Sequence, residues 1–237
     1  MKLTILETGH VPEPLFSRFG AYPKMFETMF ERAGQSFDIE TVRVIDGAPF
    51  PEPDEAGAVM LTGSPAGVYE DHPWLPPLRE FIRKAYAGRT PMVGICFGHQ
   101  IIADALGGDV RKSKKGWGMG RHVYRRRASP TALGELPETL AIAASHQDQV
   151  LTPPAEATVI YGSDFAPNAC LFYANGQVLS LQPHPEFTPE FAIGLAEFRR
   201  GTVVSEEIAD KAIASFSEPL DNSWAAKWIG RFLSERA

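Results

Sequence analysis

Cysteine is scarce in this chain of 237 residues: only Cys96 and Cys170 occur. Two cysteines that far apart build no disulfide framework and no zinc site, and they suit a reducing compartment. Long apolar runs are also missing. No stretch is long enough to cross a membrane, and Met1–Glu7 is one short strand-like run without a secretory apolar core, so the expected location is the cytoplasm. Positive charge is not in excess. The formal charge is −6, which disfavours a general role on nucleic acid. No repeat, low-complexity tract, linker or phosphate-cradling Gly-x4-Gly-Lys-Ser/Thr loop occurs, and the length leaves no room for an ATP-using synthetase domain. Neither a metal nor an organic cofactor is expected.

What is present is an ordinary globular composition, 44% hydrophobic and 22% charged, enough for one large α/β domain. The chain centres on residues 91–108. Met92–Ile95 reads as a short buried strand, Cys96 follows, and a helix with Phe97, Ile101, Ile102, Ala105 and Leu106 on one face runs to Gly107-Gly108. A lone cysteine is by default a core residue. Here Gly94 and Gly98 flank it at two residues' distance, the spacing of a nucleophile elbow. A thiol at such a strand-to-helix switch meets the helix N-terminus, which favours thiolate. A nucleophile needs a base.

The preceding segments alternate. Lys2–Glu7 predicts a first strand, 8–20 a loop, 21–34 a helix carrying Tyr22, Met25, Phe26, Met29 and Phe30, Phe37–Ile45 a second strand, and Ala58–Leu61 a buried third strand. The last of these empties into Thr62-Gly63-Ser64-Pro65; residues 47–56 are loop and 75–87 a helix. This order predicts an α/β fold with a mostly parallel sheet flanked by helices, with function at the carboxyl ends of the strands. From Val110 to Gln182 short strand runs dominate (His122–Arg126, Thr139–Ala144, Thr158–Tyr161, Ala169–Tyr173, Val178–Leu181), with Asn175-Gly176 as a hairpin turn. They predict antiparallel additions to the sheet. From Pro189 onward the chain reads as helical. We expect one catalytic domain over residues 1–200 and a helical extension over 201–237 packed on it.

Of six histidines, His184 stands out. It follows a hydrophobic strand in Gln182-Pro183-His184-Pro185-Glu186. Pro185 pushes His184 away from helix, and in extended chain residues i and i+2 point the same way. Glu186 can then orient the imidazole, as the third member of a triad does. Alone, this would equally be an exposed proline-rich turn; a cysteine elbow elsewhere makes it a candidate base.

Taken together, Gly94-Ile95-Cys96-Phe97-Gly98-His99-Gln100, Gly63-Ser64-Pro65, Ser145-His146-Gln147-Asp148-Gln149-Val150 and Gln182-Pro183-His184-Pro185-Glu186 resemble, in order, the motifs of the triad-type class I glutamine amidotransferases, most closely the amidotransferase domain of GMP synthase and its stand-alone relatives. The resemblance implies a flavodoxin-like fold. It implies that Cys96 forms a γ-glutamyl thioester, with His184 as proton shuttle and Glu186 orienting it. It further implies that the Gly63 and Phe97 N–H groups form the oxyanion hole, and that Gln100 and the Ser145-His146 segment hold the amino-acid end of glutamine, His146 lending backbone rather than imidazole. Ser64 departs from the family pattern, where a second glycine is common. His99 is expected to pack, and Cys170 to be inert core.

Residues 111–127 hold eight Lys/Arg and no acid; they form a local positive patch, read either as a dock for an acidic partner or as solvated strands, with a glycine turn around Trp117 near the site mouth. Trp224, Trp228 and Phe232 form a stripe on one helix face, expected to pack on the chain's own core. Three functions compete: a glutamine amidotransferase or glutaminase supplying ammonia to a separate synthetase; a γ-glutamyl peptidase or hydrolase acting on glutathione-like compounds or γ-glutamyl amines; and a catalytically silent binding protein, against which intact Cys96, His184 and Glu186 argue.

Overall fold

In the computed structural model, which describes residues 1–236, eleven strands and seven α-helices succeed one another as β1 (Lys2–Leu6), α1 (Glu13–Phe19), α2 (Tyr22–Arg32), β2 (Asp38–Val42), β3 (Ala58–Leu61), α3 (Leu75–Ala87), β4 (Met92–Ile95), α4 (Phe97–Ala105), β5 (Asp109–Lys112), β6 (Gly118–Arg126), β7 (Thr139–His146), β8 (Asp148–Thr152), β9 (Ala157–Gly162), β10 (Cys170–Tyr173), β11 (Val178–Leu181), α5 (Pro189–Arg199), α6 (Glu206–Ser215) and α7 (Asn222–Ser234). Nine strands form one sheet in the order β2-β1-β3-β4-β11-β10-β9-β6-β7, while β5 and β8 pair separately. The strands from β2 to β11 are parallel, and the rest of the sheet is antiparallel. This mixed sheet with a mostly parallel core, flanked by helices, is the architecture the β/α alternation implies.

The parallel strands are apolar because both faces are covered: β3, β4 and β11 are buried along their whole length. Their register decides where function can sit. Leu6 pairs with Leu61, Leu61 with Gly94, and Ile95 with Leu181. The carboxyl ends of four neighbouring strands therefore finish level, and Glu7, Thr62, Cys96 and Gln182 leave the sheet side by side.

The structure departs from expectation in three places. Residues 13–19 form α1 rather than loop: Pro12 at the N-cap and Pro14 in the first turn open a helix instead of preventing one. The second strand is shorter than the Phe37–Ile45 run, since Val44–Asp46 turn as a 3-10 segment. Strands β5 and β8 were not legible, because both mix exposed polar residues with one buried valine each, Val110 and Val150.

The hairpin at Asn175-Gly176 is present. Gly176 has φ +75°, and the Asn175 side chain accepts a hydrogen bond from the Gln177 N–H at 2.9 Å. The glycines around Trp117 do more than turn the chain: Gly116 turns, whereas Gly118 and Gly120 lie in β6, where a Cβ would meet Phe165 and Ala212. The basic stretch is divided in use. Arg121 and Arg126 donate to the Pro219 and Leu136 carbonyls, and Lys112 reaches the cavity described below. In α7, Trp228 and Phe232 are buried edge-on against Tyr161 and Phe172, so the stripe packs on the chain's own core. Among the described residues no helix is long and apolar enough to cross a membrane.

Candidate functional site

The β4–α4 switch has the geometry its glycines require. Cys96 adopts φ +54°, ψ −101°, a backbone conformation that costs a side-chain-bearing residue about 1–3 kcal/mol. The surroundings hold it there. A Cβ on Gly94 would come within 2.5 Å of the Gly98 carbonyl, and one on Gly98 within 2.5 Å of the Leu61 carbonyl, so strand, elbow and helix meet at backbone distance only because both residues lack a side chain. The Cys96 N–H donates to the Leu181 carbonyl at 2.8 Å, tying the elbow to β11. The thiol is recessed, at 6% exposure, so the cysteine is not proud of the surface but floors a cavity. The Gln182 side-chain amide points at its sulfur, 3.6 Å away.

His184 leaves β11 three residues beyond its end. Its backbone is pinned across to β7, where its N–H donates to the Ala143 carbonyl at 2.8 Å. Its ring lies flat on Phe187, with centroids 3.9 Å apart and planes at 9°. His184 Nδ1 is 2.6 Å from Glu186 Oε1, and both side chains are buried. This is the i, i+2 pairing that extended chain around Pro185 predicts, and it leaves the other ring nitrogen for a different partner. Burial disfavours a charged imidazole here. The Glu186 carboxylate, and after it the Cys96 thiol, more than offset that, and the ring's pKa is raised above its ordinary value.

The turn after β3 lies against this pair. A Cβ on Gly63 would sit 3.0 Å from His184 Cε1 and 3.8 Å from Cys96 Cβ, so the Gly63 backbone lies against both residues. The turn is braced from beneath by Thr8, whose N–H and hydroxyl bond to Thr62 Oγ1 and the Thr62 carbonyl, each at 3.0 Å. The same carbonyl accepts from Gly98 N–H at 3.1 Å. Ser64, the departure from the family pattern, turns its hydroxyl to accept from Ala66 N–H at 3.1 Å. Sequence reading did not find Thr8 or Thr62, which carry no motif of their own.

A cavity of about 500 Å³ opens over Cys96, bounded among others by Tyr22, Gln100, Trp117, Ser145 and Arg199. Gln100, Ser145 and His146 all reach it, but their side chains already have work. Gln100 Nε2 donates to the Asp148 carbonyl at 2.9 Å. Ser145 Oγ accepts from Arg199 at 2.7 Å. His146 Nδ1 bonds to the Asp148 carbonyl at 3.1 Å with its ring against Phe165, and burial pushes its pKa down to about 3, so it is neutral. His99 packs in the core against Ser180 Oγ at 2.8 Å. Arg199 and Tyr22 were not found from sequence. Arg199 sits beside another arginine at a helix end and reads as solvated charge. A larger hollow of about 780 Å³ lies behind Glu186, between α1, α2, α5 and α7, and does not include Cys96.

Cys170 differs throughout. It lies in β10 with 3% exposure, and burial alone pushes its thiol pKa up. Both cysteines are unpaired.

The family model of class-I glutamine amidotransferases matches residues 24–192. Among curated proteins, γ-glutamyl peptidase 3 of Arabidopsis thaliana is 32% identical over 82% of this chain and 80% of its own length. A glutamine amidotransferase-like protein of Schizosaccharomyces pombe is 29% identical over 98% of both. Among solved structures, a glutamine amidotransferase of Thermotoga maritima superposes with a TM-score of 0.76 over 100% of this chain and 98% of that one, at 23% identity.

Proposed function

This chain belongs to the class I glutamine amidotransferase family, and from that premise we propose that it hydrolyses γ-glutamyl amide bonds through a thioester on Cys96. The observation that carries the reading is the convergence of a strained cysteine at a helix N-terminus with a buried His184–Glu186 pair. The Cys96 sulfur attacks the γ-carbonyl carbon as the thiolate, its proton already resting on His184. The oxygen, now negative, takes hydrogen bonds from the N–H groups of Gly63 and Phe97; each such donor contributes about 3–4 kcal/mol to the transition state. His184 returns the proton to the departing amine. Water, deprotonated by the same ring, then attacks the thioester and releases glutamate. Glu186 fixes the tautomer and stabilises the imidazolium in both halves.

Glutamine is the smallest substrate of this chemistry. The cavity is larger than a free amino acid fills, and Phe198 and Val203 stand exposed at its rim. That room favours γ-glutamyl compounds whose leaving amine is bigger than ammonia, in keeping with the peptidase relative. An unpaired nucleophilic thiol suits the reducing cytoplasm. Incubation with glutamine, glutathione and γ-glutamyl amines, assaying ammonia and free glutamate, tests the reading. Glutamate release from the peptide-like compounds is expected. Release from glutamine alone would restore the ammonia-donor role beside a separate synthetase, and release from none would end the hydrolase reading.

A further inference from the structure

Arg199 ends α5 inside the cavity that Cys96 floors. One guanidinium N–H donates to Ser145 Oγ at 2.7 Å, and the group lies 4.9 Å above the Trp117 ring. Both partners are neutral. Burial works against its charge, and no carboxylate offsets that. The next residue shows that the chain had acids to give: Arg200, facing away, is paired with Glu197 at 2.7 Å and Asp210 at 2.6 Å. A guanidinium carries five donors in a planar fork suited to a carboxylate, and holding one in a recess without a counter-ion is unfavourable unless a ligand supplies the anion.

The position of Arg199 indicates which end of the substrate would bring that anion. The amine leaves on the side of His184, which protonates it. The His184 ring stacks on Phe187, Phe187 on Tyr22, and Tyr22 borders the cavity beside Arg199. Gln100, by contrast, extends from the Cys96 helix toward Asp148, and Ser145, in the segment expected to hold the glutamyl end, commits its hydroxyl to Arg199 and has only its backbone left for that end. Resting on the reading of Cys96 as the nucleophile, we propose that Arg199 is a specificity-determining residue that binds a carboxylate on the leaving amine, so that γ-glutamyl amino acids and peptides with a free carboxylate are preferred over uncharged γ-glutamyl amides.

The test compares kcat/KM for γ-glutamylglycine and γ-glutamylglycinamide in the unmodified protein, Arg199→Gln and Arg199→Lys. The unmodified protein should favour the free acid by roughly ten- to a hundredfold, the range of a charge-assisted hydrogen bond. Arg199→Gln should bring the ratio near one, and Arg199→Lys should recover part of it. No preference in the unmodified protein overturns the proposal. So does an equal loss on both compounds in Arg199→Gln, which would put Arg199 on the glutamyl end or in folding. Calorimetric binding of the same pair to Cys96→Ala separates the two levels of the argument. A preference for the acid in binding, with neither compound cleaved by the unmodified protein, would keep the subsite and reject the hydrolase; equal binding rejects the subsite.

Discussion

Cys96 and Cys170 lie in the same sheet with only β11 between their strands, both nearly sealed from solvent, yet they occupy opposite chemical situations. Cys96 leaves the end of a parallel strand at positive φ, heads a helix, faces a side-chain amide and neighbours an imidazole held by a carboxylate. Cys170 opens an antiparallel strand, at a register shift against β9, and only burial acts on it. Burial alone makes a thiol inert. Burial combined with converging dipoles and a basic ring makes one usable. The same contrast separates the two halves of the sheet: parallel strands end level and pool their loops at one edge, whereas antiparallel strands send successive loops to alternate edges.

The comparison is broken most sharply by removing the thiol. Cys96→Ala should lower hydrolysis of a γ-glutamyl amide by roughly four to six orders of magnitude, measured as glutamate release, while the circular dichroism spectrum is retained. Glu186→Gln comes next, with a loss of roughly 10²- to 10⁴-fold in kcat and a change that activity alone would not show. A His184 pKa raised in the folded state adds stability that is fully present below the ordinary histidine value of about 6.5 and is lost as pH rises through the raised value. The denaturation midpoint of the unmodified protein should therefore carry a downward component from near pH 6.5 into the alkaline range that flattens in Glu186→Gln. A slope that is the same in both would mean that the carboxylate does not hold the ring's proton.

Much of this site is legible in the sequence because its geometry is enforced by residue types that leave marks. Gly94 and Gly98 cannot be replaced where backbones touch, a short, mostly apolar run flags each doubly covered strand, and Pro185 sets the spacing that lets Glu186 meet His184. What was illegible depends on contacts distant in sequence. Thr8 braces the turn at Thr62 from 54 positions away. Arg199 gains its meaning from Ser145, also 54 positions away. Helix α1 was hidden because its prolines at the start of a helix look like prolines in a loop, and β5 and β8 because half-exposed strands of mixed polarity have no clean alternation.

Three smaller effects sharpen the contrast. Gly98→Ala, whose Cβ would sit 2.5 Å from the Leu61 carbonyl, should cost about 3 kcal/mol or more in chemical denaturation. Gly176→Ala in the β10–β11 hairpin, with φ +75° but open space around it, should cost about 1 kcal/mol. Similar costs at the two sites would show that the elbow is not specially close-packed. Cys170→Ala should also cost about 1 kcal/mol and leave turnover where it was.

The most direct test of the thioester is to catch it. The protein is mixed with excess γ-glutamyl substrate, quenched in acid during turnover, digested and analysed by peptide mass spectrometry. The account predicts one glutamyl group on the peptide containing Cys96, absent in Cys96→Ala. Steady glutamate release with no adduct on Cys96, or an adduct on Cys170 instead, would contradict it.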